Sequence, residues 1–486
     1  MHLDELIASS TTFDQLDNFV ASNQAELFDL FMWSTDQELR EQRLTLENYL
    51  VSHRTKFENL PPNQLNLAFL AMLLDCSERL GLINAFEFLY NFLVGNGFDP
   101  GSRLHAASLY LIGVRSGTAL VDRYVEIYEL LQVSYNEEED NSDKILITII
   151  NYYRKAIQDF GEFNIGIAKS ILNKVKQTIK EDEYSFLNHP LILEIIGIDL
   201  VFGSTDLVIS AKLDQYLHRG PAKGKVIGGL LIEEGTEYAK KIAAVALSIN
   251  DIRRISVEKH KADGGDHVFY SLHHGTAIIH DEIQMATYMN SLGLMHFEKL
   301  REAFDKLPEA LYEKRINIID WGCGQAMGTM VFLAYCMNRG IDINVEKIIL
   351  IEPSELTLAR GALHINKFLP NVNYITICKL IDDVDMTDIS VTGGICIHIF
   401  SNVLDMDTVQ LAPLSKLLKD GCHGKNFFVV VDPYQNDLKK ARIDTFVNSF
   451  AGERDFDLIS TIDQRKGEWT GNWTRHERVF SVRLSG

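Results

Sequence analysis

The chain has 486 residues, 46% apolar and 23% charged, which is enough for two or three domains of ordinary globular composition. Its 47 basic and 67 acidic residues give a net charge of −20, and the basic runs are short (Arg253-Arg254, Lys259 to Lys261, Lys439 to Arg442, Arg465-Lys466), which disfavours bare nucleic acid as a partner. Six cysteines without a Cys-x-x-Cys pair speak against a disulfide framework or a structural zinc, and no stretch approaches the ~18 apolar residues of a membrane span.

The start of the chain (Met1-His2-Leu3-Asp4-Glu5) lacks the pattern of a secretory signal, so a cytoplasmic protein with no membrane partner is expected. Residues 1–215 read as helix almost throughout. Thr11-Thr12 caps an early helix, and Pro61-Pro62-Asn63 opens another that runs to about Arg79. Gly81 separates it from the next, which ends near Gly95-Asn96-Gly97; further helices are expected at about 103–114, 117–133, 144–160, 164–180 and 190–203. Starts near 64, 103 and 144 lie about 40 residues apart, as stacked helical hairpins would. Equivalent positions match poorly, so an irregular bundle stands beside the repeat reading. The acidic run 135–143 reads as a solvated loop, with docking of a basic partner as the functional alternative.

Residues 216–300 form a connecting module. Glycine rises there, Lys225 to Ile232 reads as a short strand, and Arg254 to Val257 with His267 to Leu272 read as hairpin arms around a loop at 262–266. A helix from Asp281 to Phe304, broken near Gly293, leads onward. His273-His274 with His280-Asp281-Glu282 matches no metal-ligand spacing, so no metal is expected.

From 301 to 486 strand and helix alternate. Apolar strands end at Asp320 and Glu352, and further strands are expected at 373–381, 394–400, 426–431, 456–463 and 475–484, with helices at 407–418 and 437–450. This pattern predicts a mostly parallel sheet covered on both faces, closed by an antiparallel hairpin, because no helix separates the last two strands.

The turn after the first strand reads Asp320-Trp321-Gly322-Cys323-Gly324-Gln325-Ala326-Met327-Gly328. Dinucleotide binders use Gly-x-Gly-x-x-Gly, but Met327 occupies the third glycine position. A carboxylate at Asp320 repels a diphosphate and suits the ammonium and sulfonium charges of S-adenosylmethionine (SAM). Glu352 at the tip of the second strand can accept both ribose hydroxyls.

On Asp320-x-Gly322-x-Gly324, Glu352 and the closing hairpin, residues 305–486 resemble the class I SAM-dependent methyltransferases. The resemblance implies an α/β Rossmann-like methyltransferase domain with SAM as cofactor, joined to a large all-α N-terminal domain. It implies that the loop Gly322-Cys323-Gly324 lies against the methionine portion, that Glu352 holds the ribose, and that Asp382 or Asp383 contacts the adenine amine. Ala326 stands where the family has its third glycine.

In an open parallel sheet, ligands sit beyond the carboxyl ends of the strands. The fourth strand therefore offers His398, Ser401, Asn402 and Asp405 near the methyl group, Ser401 on the cofactor side, with His398 and Asp405 as candidate bases. The plainer alternatives are a core hydrogen bond for His398 and a turn cap for Asn402. The sequence Ser-Asn-Val-Leu lacks the Pro-Pro-aromatic pattern of DNA exocyclic-amine methyltransferases, which disfavours such a substrate. Asp432-Pro433-Tyr434 either lines the acceptor pocket or forms a turn. Trp469 and Trp473 read as cover for the sheet edge, and residues 273–300 as a lid with Tyr288 and His296 facing inward.

The expected protein is a SAM-dependent methyltransferase whose helical domain recognises a substrate or protein partner. A protein or small-molecule acceptor is favoured over nucleic acid. A non-catalytic regulatory protein is the alternative, because Ile318-Ile319-Asp320 followed by Gln325 faintly resembles the GRAS family, with Asn317 where that family has histidine.

Overall fold

The computed structural model describes residues 3–114, 116–136, 142–160, 165–181, 184–200, 205–217, 230–265, 268–269, 271–272, 277–391, 393–469 and 473–485. The chain divides into two compact units, Met1–Pro221 with Gln435–Ala441, and Ala222–Tyr434 with Arg442–Gly486. Residues 222–300, read from sequence as part of a connecting module, belong to the second unit. Among the described residues no helix is long and apolar enough to cross a membrane.

The first unit is all helix. Gln64–Arg79 packs on Ile83–Gly95, Ser102–Leu111 on Tyr124–Asn136, and Ser142–Phe160 on Ile165–Glu181, giving three successive helical hairpins. The third hairpin also packs on the first, with Asn151 donating to the Glu78 carbonyl at 3.3 Å. A solenoid restricts each repeat to its neighbours, so this is a bundle.

The reason lies in the helix Gln64–Arg79, whose residues from Asn66 onward are buried on every face. Its charged C-terminal turn is buried too. Arg103 pairs with Asp75 and, at 2.7 Å, with Glu78; Arg79 pairs with Asp75 at 2.8 Å and Asp36 at 3.1 Å; Lys144 lies 3.4 Å from Asp75. Removing one partner from such a network strands the opposite charge away from water. Arg103→Met is expected to lower unfolding stability by about 3–5 kcal/mol, read from urea denaturation.

The second unit carries a seven-stranded sheet ordered β3-β2-β1-β4-β5-β7-β6. The strands are β1 (Arg315–Trp321), β2 (Asn344–Ile351), β3 (Asn373–Ile377), β4 (Ile395–Ser401), β5 (His423–Asp432), β6 (Arg454–Gln464) and β7 (Arg475–Ser485). The first five run parallel, and β7 lies antiparallel between β5 and β6. Buried on both faces, the central strands are continuous Ile, Val and Phe runs rather than alternating ones. β6, at the edge, is half-exposed and its register slips twice, which twists an otherwise open edge away from further pairing. Because β2 and β4 flank β1, the chain changes direction across the sheet at the β1/β4 boundary.

Two expectations for the module are corrected. Arg254 to Val257 is no hairpin arm but part of the helix Ile249–Ala262. Its buried residues Ile249, Ile252, Ile255, Ser256 and His260 follow the helical period, which outweighs the strand preference of isoleucine and valine. Leu230 to Ile232 belongs to no strand: Leu231 N–H donates to Thr376 Oγ1 at 2.8 Å, and Glu233 N–H to the Ala359 carbonyl at 3.0 Å. Residues 225–229 and His267 lie outside the described residues. The third strand stops at Ile377, short of the expected 381, where the chain turns into a short 3-10 helix at Ile381–Asp383.

Candidate active site at the carboxyl edge of the sheet

The turn leaving β1 is built by three left-handed residues, Gly322 (φ 59°), Gly324 (φ 50°) and Ala326 (φ 58°). Ala326 is the strained member, because a Cβ disfavours that region. Gly322 has no room for a side chain, since an added Cβ would stand 2.9 Å from Val403 Cγ2. Gly324 faces open space, with nothing within 4 Å of such an atom. Gly328 serves packing: a Cβ there would meet Ile399 at 2.8 Å and both Asp320 carboxylate oxygens at 3.0 Å.

That closeness lets Asp320 Oδ2 accept both the Thr329 backbone N–H (2.9 Å) and its hydroxyl (2.8 Å) at the start of the helix Met327–Asn338. A carboxylate at a helix N-terminus is favourably placed. Burial nevertheless raises its pKa to about 6, against the lowering effect of these bonds. Gly328→Ala is expected to cost about 1–3 kcal/mol of stability, read from the shift in urea midpoint, because neither strand nor helix can give way.

Glu352, just past β2, is half-buried. Its Oε2 accepts the Gly324 N–H at 3.1 Å and its Oε1 the Ser354 N–H at 2.9 Å, which leaves lone pairs on both oxygens for a ligand diol. Cys323 N–H donates to the Ile351 carbonyl at 2.9 Å and so ties the turn to β2, while burial and nearby Asp320 and Glu352 raise its thiol well above the ordinary range. Asp382 and Asp383 are exposed on the 3-10 turn. Asp382 accepts the Gln410 N–H at 3.0 Å, and the adjoining Ile381 lies 3.9 Å from where a Gly322 Cβ would stand.

The turn is supported from behind by residues that motif reading missed. His364 Nδ1–H donates to the Gln325 carbonyl at 2.9 Å; that oxygen can only accept, so in the neutral ring Nε2 accepts from the Tyr238 hydroxyl, also at 2.9 Å. Arg360 lies over the Tyr238 ring at 3.6 Å and grips Glu233 through two bonds of 2.6 and 2.9 Å. Gln325 Nε2 donates to the Met285 carbonyl at 3.0 Å, and Ser354 Oγ to the Ile279 carbonyl at 2.7 Å. The signal for these residues was weak, because each partner lies far away in sequence.

At the β4 end the expected set separates. His398 does not reach the edge: it is fully buried, stacked on Phe428 at 4.4 Å, with Nε2 bonded to Asn426 at 3.0 Å and Nδ1 accepting from Trp321 at 3.3 Å. It sits three residues before the end of β4, opposite Phe428 and on the same face as Phe400, within the core rather than at the tip. Ser401, Asn402 and Asp405 do gather there. Asn402 adopts φ 56°, and its buried Oδ1 has no hydrogen-bond partner among the described residues. A non-glycine residue in that region is strained, and a buried acceptor without a donor is costly. Asp432, at the end of β5, is fully buried and accepts the Val403 N–H at 2.8 Å. Burial, then the neighbouring Asp405, pushes Asp432 well above the ordinary carboxyl range, while Lys299 pulls it back.

The segment expected as a lid comprises the helices Glu282–Ser291 and Gly293–Phe304. The Tyr288 hydroxyl bonds His296 Nε2 at 3.1 Å, and His296 Nδ1 bonds Ser401 Oγ at 2.8 Å, so a hydroxyl–imidazole–hydroxyl chain ends at the β4 tip. Lys299, one turn on and 1% exposed, acts on both His296 and Asp432. Its lysine identity concealed its burial. His273 and His274 lie outside the described residues. Trp469 donates to Glu302 at 3.2 Å under the Arg475 guanidinium, and Trp473 lies 6.2 Å away. Among the described residues no group of three or more His, Cys, Asp or Glu is placed to hold a metal.

Burial depresses the imidazoles of His296, His364 and His398 to about 3, 4 and 4. An unfolded chain protonates histidine near 6.5, so each contributes stability that is complete above that pH and is lost as pH falls toward the folded value. Asp320, raised to about 6, works in the opposite sense below that pH. In His398→Asn the loss of stability between pH 7 and pH 5 should therefore shrink by about 1–2 kcal/mol, measured by urea unfolding at both. The three rings should give neutral-imidazole 15N shifts at pH 5.

No family profile matches the chain, and no curated protein does. Solved structures do resemble it. An O-methyltransferase family protein from Burkholderia thailandensis is 12% identical, with 61% of this chain and 87% of that one aligned at a TM-score of 0.30. A putative class I SAM-dependent methyltransferase from Listeria monocytogenes is 11% identical over 75% of this chain and 88% of its own, at 0.28. The plantazolicin methyltransferase BpumL, in complex with SAH, is 11% identical over 51% and 100%, at 0.29. These likenesses are weak, and the Rossmann-like fold rests on the strand order and register of the chain itself.

Proposed function

We propose that the second unit is a SAM-dependent methyltransferase whose helical first unit recognises the substrate or a protein partner. The observation that carries this reading is the pairing of Glu352 with the open glycine turn across the β1/β2 tips, beside a direction change at β1/β4. Ligands of open α/β sheets occupy that crevice. Gly324 leaves the backbone accessible, Glu352 has lone pairs for two hydroxyls, and Asp320 places negative charge beneath the turn where a diphosphate would be repelled. The residues present therefore fit SAM better than a dinucleotide.

SAM would supply an electrophilic methyl group on a sulfonium. The contribution of the chain is positioning, which is the main demand of an in-line transfer. Gly322 to Gly324 and Glu352 hold the donor. Asn402 Oδ1 is available to accept a hydrogen bond from the acceptor, and the Asp405–Asp432 pair can take a proton if the acceptor must lose one, while His296, its imidazole held down to about 3, positions Ser401 rather than acting as a base. Asp382 or Asp383 would serve the adenine amine. The −20 charge supports a small-molecule or protein acceptor over nucleic acid.

Titration calorimetry of the full chain should give SAM binding in the micromolar range. Glu352→Ala should weaken it at least about tenfold, the worth of a charge-assisted hydrogen bond. Absence of binding at several hundred micromolar would sink the enzyme reading in favour of an interaction module of the GRAS kind.

A further inference from the structure

The helical unit carries a half-open pocket of about 540 Å³, a volume within the roughly 300–1,000 Å³ range of small-molecule sites. It lies among the helices Asp36–Glu41, Arg43–Glu58, Ser142–Phe160 and Thr205–Leu217 and the ends of Gln64–Arg79, Ile83–Gly95 and Ser102–Leu111. In a chain with 20 more acidic than basic residues, this cavity reverses the balance. Arg40, Arg43, Arg79, Arg154 and Lys155 line it, against Glu41, Glu78 and Asp214.

The cations are not all spent internally. Arg79 is, on Asp75, Asp36 and the Phe31 carbonyl, and Lys155 pairs with Asp159. Arg40 gives only Nη1 to Asp214, and Arg154 gives Nε and Nη2 to Asp206, at 2.7 and 3.3 Å, keeping Nη1. Arg43 makes no ion pair or hydrogen bond among the described residues. On the opposing side, Glu78 is occupied by Arg103, Tyr110 and Asn151. Burial depresses the Arg40 guanidinium, Asp214 and Asp36 oppose this, and Arg154 and Arg43 add to it, so Arg40 feels the charge of both neighbouring arginines. The helices Arg43–Glu58 and Ile83–Gly95 also begin at this wall without a side-chain N-cap bond.

We propose that this cavity is a binding site for a small polyanion, its oxyanion groups held by the free edges of Arg40, Arg43 and Arg154. The planar fork of arginine matches carboxylate and phosphate oxygens alike, so the shared chemistry is an oxyanion. The site is independent of whether the second unit binds SAM.

Calorimetry of the full chain with inorganic pyrophosphate and, separately, with citrate tests this. Saturable one-site binding of pyrophosphate, of citrate or of both is expected, and the stronger of the two identifies phosphate or carboxylate as the natural group. Arg43→Gln and Arg40→Gln should each weaken it about tenfold. Lys169→Gln, on an exposed helix outside the cavity, should leave it unchanged. Arg43 is exposed and unpaired, so its variant should keep the parent urea midpoint. Failure of both anions to bind at 5 mM, or binding that Arg43→Gln and Arg40→Gln leave intact, overturns the proposal.

Discussion

The contact on which the second unit depends is the one between Asp320 and the first turn of the next helix. A carboxylate at the end of a buried strand needs hydrogen-bond donors, and the free N–H groups of a helix start supply them. Here the donors are the backbone and hydroxyl of Thr329, reached only because Gly328 has no side chain. Once this contact forms, the intervening residues must turn back sharply, and three of them take positive φ to do so. The open backbone at Gly324 follows from that geometry.

A turn held only at its two ends would still be soft. It is braced from behind by His364, which fixes the Gln325 carbonyl, and by Tyr238, Arg360 and Glu233, which fix His364. Its links are donor–acceptor pairs joined by the Arg360 guanidinium over the Tyr238 ring, so burying it costs little and defines one arrangement. It also joins the segment around Glu233 to the helix Glu355–Phe368, which explains why the residues before the sheet cluster with it. At the other tip, Asn402 Oδ1 has no partner among the described residues, and Asp405 and Asp432 stand close enough for one to raise the carboxyl of the other.

Much of this was legible in the residue order. The alternation of apolar strands and helices after 301, the closing hairpin, the glycine turn and both acids follow from periodicity and local turn chemistry, which depend on neighbours in sequence. The break at Gly293, with Tyr288 and His296 directed at the β4 tip, was legible for the same reason. The hairpin expected around 262–266 was not there, because isoleucine and valine favour strands only when a strand partner exists, and the helical spacing of the buried residues prevailed. His398 was misplaced because its nearness in sequence to Ser401 suggested the tip, while each strand residue rises about 3.3 Å and three of them leave it in the core opposite Phe428.

By itself, then, the sequence determined the class of fold and the shape of the turn that leaves its first strand, since both are written in local periods and in a few neighbouring residues. Tertiary structure alone decided which polar residues are spent and which are available. Lys299, Asp432, His364 and the arginines of the helical cavity are ordinary residues along the chain. Their roles come from partners far away in sequence, and a lone charge acquires its meaning only when burial removes water and sets another charge beside it.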